Sequence, residues 1–170
     1  MMKEDSKVSM SFPVVGSRLK NGNCSFTVWA PLKKTVEVVI ESGADYPMTK
    51  DDAGYWHCEV PGISQGSRYF FRLDRDKRLP DPASRFQPEG VHGPSAVVEE
   101  AFAWEDESWR GLPLGDMVIY ELHVGTFTSS HTFGGVISKL PYLKRLGVNA
   151  IELMPLSQFP GDRNWGYDGV

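Results

Sequence analysis

Cysteine is scarce here, with two residues, Cys24 and Cys58, in a chain of 170. Each falls on the apolar face of a candidate strand, which reads as a buried free thiol of a reducing compartment rather than a cross-link. No His or Cys spacing supplies enough neighbours for a metal centre, so no metal or other cofactor is expected. Long apolar runs are also missing. No stretch approaches the roughly 18 residues that read as a membrane span, and the start, MMKEDSKVSMSF, is charged where a signal peptide would be apolar. A cytoplasmic protein away from the membrane is expected. Positive charge is in deficit, 18 Lys and Arg against 22 Asp and Glu, mixed along the chain. With no basic stripe to neutralise a phosphate backbone, nucleic-acid binding is not expected. Aromatic residues, by contrast, are plentiful at 12%, with five Trp. That suits a sugar binder, although Trp is also a common core residue.

The first hundred residues alternate in the two-residue period of strands. CSFTVWA (24–30) puts Phe26, Val28 and Ala30 on one face, and TVEVVIE (35–41) does the same with Val36, Val38 and Ile40. GYWHCEV (54–60) offers Trp56, Cys58 and Val60, and SRYFFRL (67–73) sets Tyr69, Phe71 and Leu73 against Arg68 and Arg72. Turn residues separate all four, which argues an antiparallel sandwich. Residues 74–94 lose the alternation in a proline-rich stretch that reads as an ordered wrap, and SAVVE (95–99) can return as an edge strand.

A connector without period leads to a boundary near Pro113, which predicts a sandwich domain over 1–112 and a second domain over 113–170. There MVIYELHV (117–124) is nearly continuous in β-favouring residues, as a strand covered on both faces would be. TFGGVISKLPYLKRLG carries Phe133, Ile137, Leu140, Leu143 and Leu146 at helical spacing, with Gly147 as the stop. Pro141 should divide this helix into two segments or kink it. NAIELMP (149–155) is the next strand, and a helical crossover makes the pair parallel. Ligands in such architectures bind beyond the carboxyl ends of the strands. VGTFTSSHT and PLSQFPGDRNWGYDGV both lie on that side, so the chain is expected to end inside a binding surface.

FTVWAP (26–31), IYELHVGTFT (119–128) and GVNAIELMP (147–155) resemble, in that order, the β-sandwich and first two barrel strands of α-amylase superfamily enzymes such as branching and debranching enzymes. DPASRFQPEGVHGPS (81–95) and QFPGDRNWGYDGV (158–170) narrow the resemblance to the maltooligosyltrehalose trehalohydrolases. It implies a mainly β chain: an Ig-like (early-set) sandwich followed by the first β-α-β of a truncated (β/α)₈ TIM barrel. It also implies a parent glycoside hydrolase that cleaves the α-1,4 bond next to the trehalose end of maltooligosyl trehalose. Retaining hydrolysis of that type uses two carboxyls about 5 to 5.5 Å apart. In this family an Asp nucleophile, a Glu acid/base and a second Asp follow the fourth, fifth and seventh strands. Those positions lie outside this sequence, so the chain alone is expected to be catalytically silent. Two alternatives stand beside this reading, the leading part of a 1,4-α-glucan branching enzyme and a non-catalytic glucan-binding module.

The resemblance matches Tyr167 of W-G-Y-D to the tyrosine that stacks on the glucosyl ring at the cleavage point, where a π face favours an oxocarbenium-like transition state. Asp168 would accept from sugar hydroxyls or hold the loop, and Trp165 would line the same rim or pin the loop to the scaffold. The implied partner is maltooligosyl trehalose or an α-glucan. Glu121 and Glu152 sit at comparable places in the two parallel strands, but mid-strand, which favours hydrogen bonding in or around the barrel over acid/base work. His123 stands near the end of the first strand, where a satisfied structural histidine competes with a contact to a ligand hydroxyl. In the sandwich Trp56 reads as core, while Trp29 and Tyr55 face outward. Two strands and a helix leave apolar faces uncovered, so residues 115–170 are expected to be poorly ordered, remodelled, or buried by self-association.

Overall fold

Alternating apolar residues build the first half of the computed structural model, which describes residues 13–99 and 102–169. Its strands are β1 (Gly16–Lys20), β2 (Asn23–Trp29), β3 (Val36–Ile40), β4 (Asp45–Pro47), β5 (Thr49–Lys50), β6 (Tyr55–Pro61), β7 (Arg68–Leu73), β8 (Arg78–Leu79) and β9 (Ser95–Ala96). They form two antiparallel sheets, β1-β2-β6-β5 and β4-β3-β7-β8, with β9 added against β7. The faces are those the alternation requires. Phe26 and Val28 from β2, Val36, Val38 and Ile40 from β3, Trp56 and Val60 from β6, and Tyr69 and Phe71 from β7 share one buried core. The Phe26 and Tyr69 rings meet edge to face with centroids 4.8 Å apart. Cys24 is buried and Cys58 half-buried, both as free thiols.

The β1 strand was absent from the sequence reading. Its signal is the Asn21-Gly22 pair, which occupies left-handed backbone at φ 52° and 76° and closes a two-residue hairpin with Lys20 opposite Asn23. The proline-rich wrap is fixed by a buried carboxylate. Asp81 accepts from the Tyr69 hydroxyl at 2.6 Å and from the Ala83 N–H at 2.8 Å, while its own N–H donates to Ser95 Oγ at 2.9 Å. Arg85 of the same wrap donates to the Ser17 carbonyl on β1. The stretch therefore needs no regular structure to be ordered.

The chain divides into two compact units between residues 100 and 101. In the second, β10 (Ile119–Leu122), α1 (Val124–Phe127), α2 (Phe133–Leu146) and β11 (Ala150–Leu153) follow in order. The two strands pair in parallel with Glu121 opposite Glu152 and Leu122 opposite Leu153. The Asn149 side chain accepts from Val118 N–H at 2.7 Å and donates to the Asp116 carbonyl at 2.8 Å, which locks the entry to one strand against the entry to the other. Thr132 caps α2 through an acceptor contact from Gly135 N–H, and Gly147, at φ 98°, ends it.

Three expectations are corrected here. First, α2 is one continuous helix through Pro141 rather than two segments. Proline removes the bond to the Ile137 carbonyl, but Ile137 lies on the exposed side of the helix, where the cost of that loss is smaller because water can reach a freed carbonyl. Second, the buried helix line is Val136 and Leu143, packed on Leu122, while Phe133, Ile137, Leu140 and Leu146 are exposed. Ile137 lies about 100° round from Val136, and two strands are too narrow to cover that arc. Third, β10 is exposed except at Leu122, not covered on both faces, and it gives way to the short helix α1 at Val124. The β-α-β unit is formed, with Phe133, Ile137, Leu140 and Leu146 of its helix exposed.

Burial raises the Asp81 pKa above its ordinary 3.8, against the lowering effect of its hydrogen bonds. A raised folded pKa adds stability as pH falls and loses it as pH rises through that value. Urea unfolding should therefore show the wild type gaining on Asp81→Asn between about pH 7 and about pH 4, and a pH-independent difference would contradict this. Tyr69→Phe, which strands the buried acceptor, should cost about 1–3 kcal/mol.

Candidate functional site

The parallel pairing sends the segments after β10 and β11 out of the same end of the sheet. Met154 N–H donates to the Leu122 carbonyl at 3.0 Å, extending the ladder to the point where both loops begin. Between the loops lies a cleft of about 600 Å³, lined among others by His123, His131, Met154, Phe159, Asp162 and Arg163. His131 Nδ1 is hydrogen-bonded to the Gly125 carbonyl at 2.6 Å, which holds the first loop against α1.

The W-G-Y-D turn is built from its own side chains. Asp168 Oδ2 accepts from the Trp165 N–H at 2.7 Å, and Asn164 Oδ1 accepts from the Gly166 N–H at 2.6 Å. Gly166 is buried at φ 108°, and a Cβ there would stand 2.2 Å from Met154 Cε. Only glycine meets both demands. From this turn Tyr167 reaches back to the strand, its hydroxyl donating to Glu121 Oε1 at 2.9 Å. That hydrogen bond raises the phenol pKa above its ordinary 10, with a further contribution from the Glu121 and Glu152 charges.

Of the residues singled out from sequence, the structure brings Tyr167 onto Glu121 and Asp168 onto the backbone of Trp165. Trp165 is 87% exposed and Tyr167 70% exposed. His123 Nδ1 is buried without a hydrogen-bond partner among the described residues. Two glycines flank the ring: a Cβ on Gly125 would lie 3.0 Å from its Cε1, and one on Gly166 would lie 3.7 Å from its Cδ2. Sequence reasoning missed Asn149, His131 and the steric need for Gly166. It also noted Glu121 without finding its partner, since 46 residues separate it from Tyr167. The matched offsets of Glu121 and Glu152 within two apolar strands were the available signal.

In the sandwich Trp56 is buried and donates to the Ala30 carbonyl, while Trp29 is 58% exposed with its Nε1 on the Ala53 carbonyl. Beside it on the outer face, the Tyr55 and His57 rings stack with centroids 6.4 Å apart, and His57 bridges Asp51 and Thr27. Among the described residues no helix is long and apolar enough to cross a membrane.

Residues 14–87 match the family described as carbohydrate-binding module 48 (isoamylase N-terminal domain). Proteins named malto-oligosyltrehalose trehalohydrolase align at 40–50% identity over most of the chain. That of Saccharolobus solfataricus is 50% identical over 155 residues, covering 91% of this chain and 28% of its own length. A 1,4-alpha-glucan branching enzyme of Pseudoalteromonas atlantica is 30% identical over 190 residues, covering 98% of this chain and 25% of its own. The crystal structure of a Salmonella typhimurium protein provisionally assigned as an alpha amylase superposes with a TM-score of 0.80 at 40% identity, over 92% of this chain and 27% of that one.

If the turn is fixed as described, Gly166→Ala should raise amide exchange at Trp165 and at position 166 by about tenfold or more. Unchanged exchange would show that the turn tolerates a side chain. The chain is similar to proteins named malto-oligosyltrehalose trehalohydrolase and spans about a quarter of their length, and residues 14–87 match the family model described as carbohydrate-binding module 48.

Proposed function

We propose that this chain is the amino-terminal part of a glycoside hydrolase that cleaves the α-1,4-glucosidic bond next to the trehalose end of maltooligosyl trehalose, and so serves trehalose formation from glucan. The observation that carries it is the 50% identity with a trehalohydrolase across both compact units. The 30% identity with a branching enzyme supports the transferase reading less well.

In this proposal the loops after β10 and β11 supply part of the sugar surface. Tyr167 offers a flat face to a glucosyl ring, Trp165 extends the apolar rim, and Asp168 holds the turn that presents both. The acid/base and nucleophile that the resemblance implies follow later barrel strands, outside residues 1–170. Glu121 is engaged by a phenol and Glu152 sits beside it in the ladder, neither beyond the strand ends. The two free thiols fit a cytoplasmic setting. The apolar residues exposed on α2 and β10 favour self-association, which would appear as a sedimentation coefficient rising with concentration.

The test is a turnover assay on maltotriosyl trehalose. The 170-residue chain should release no trehalose, whereas the product of the complete gene should release trehalose and maltotriose. Formation of α-1,6 branches from amylose by the complete product would move the assignment to a branching enzyme. Trehalose release by the short chain would overturn the division of labour.

A further inference from the structure

Two glutamates interrupt otherwise apolar strands at the same register, Glu121 in IYEL and Glu152 in AIEL. A carboxylate in the middle of a short β-strand packs nothing and weakens the local β preference, so its presence calls for a partner. Among the described residues the structure provides one for Glu121 alone. Tyr167 donates to it across 46 residues of sequence at 2.9 Å, from a loop whose other constraints act on the backbone. The Asp168 and Asn164 contacts fix the Trp165 and Gly166 amides, and Met154 fills the space beneath Gly166. None of these sets the direction of the Tyr167 ring. The remaining degrees of freedom are the side-chain torsions of Tyr167, and a contact at the far end of the phenol restricts them together.

We propose that Glu121 is a positioning residue: by accepting the Tyr167 hydroxyl it fixes the ring edge-on to the strand and leaves a ring face open to a sugar. The proposal rests on the sugar-binding reading of this loop given above. Glu152, one strand over, makes no hydrogen bond to the phenol and contributes charge alone. The donor is the protonated phenol, and the raised phenol pKa agrees with that state. A neutral amide at position 121 retains an acceptor oxygen but not the charge-assisted bond, so it weakens the constraint without removing volume.

The test uses the chain itself, labelled with ¹³C at tyrosine Cζ, with Tyr167→Phe assigning the resonance. On a pH titration the Tyr167 signal should ionise above the exposed tyrosines in the wild type and return among them in Glu121→Gln. In parallel, maltotriosyl trehalose is titrated in the millimolar range and followed by saturation transfer. Glu121→Gln should weaken binding about fivefold with an unchanged circular dichroism spectrum, and Glu152→Gln should leave affinity within about twofold. A Tyr167 signal that titrates with the other tyrosines in the wild type overturns the contact. Full affinity in Glu121→Gln, where Tyr167→Ala abolishes binding, overturns the positioning role and leaves the sugar site standing. If the chain shows no saturable binding, or if Tyr167→Ala has no effect on it, the sugar-binding reading falls and the proposal with it.

Discussion

Parallel pairing of β10 with β11 in a single register is the constraint on which the site depends. Side chains alternate along a strand, so a slip of one residue would turn each of Glu121 and Leu122 to the face opposite its present one. Leu122 would leave its contact with Val136 and Leu143, and Glu121 would leave the reach of Tyr167. The register is held from both ends. Asn149 spans the strand entries with two hydrogen bonds, and the Leu122 carbonyl takes the Met154 N–H at the exits. The loops that follow inherit their common origin from this ladder, and the cleft between them is a consequence of it.

The two compact units illustrate different ways of ordering a chain. The sandwich relies on area: two sheets enclose a shared aromatic and aliphatic core, and even its proline-rich wrap is anchored by the buried Asp81. The β-α-β unit has little area to rely on, since Leu122, Val136 and Leu143 are its buried core and most of the helix's apolar residues face outward. Specific polar contacts carry its order, among them the Thr132 cap, the Asn149 bridge and the Asp168 turn. Such contacts fix geometry better than they add stability. For a surface that must present Trp165 and Tyr167 in a set arrangement, geometry is what matters.

Much of the fold was legible in the sequence because alternation and helical spacing are local signals. Phe26, Val28, Val36, Val38, Tyr69 and Phe71 are buried as their period requires, and Gly147 ends its helix. The failures have physical causes. Apolar spacing on α2 reports which residues could be buried, not how wide a surface is available to bury them, so Phe133 and Ile137 remain exposed. Pro141 does not divide the helix, because the cost of a lost helix bond depends on whether water can reach the freed carbonyl. At the site, Trp165, Tyr167 and Asp168 came from resemblance to a motif, whereas the Tyr167 to Glu121 contact and the burial of His123 Nδ1 are tertiary facts that no local pattern encodes.

The register is open to direct measurement by scalar coupling across hydrogen bonds in the labelled protein. A coupling from the Met154 amide nitrogen to the Leu122 carbonyl carbon is what the account predicts. A coupling from Met154 to Tyr120 or Val124 instead, or an antiparallel pattern of contacts between Ile119–Leu122 and Ala150–Leu153, would contradict it.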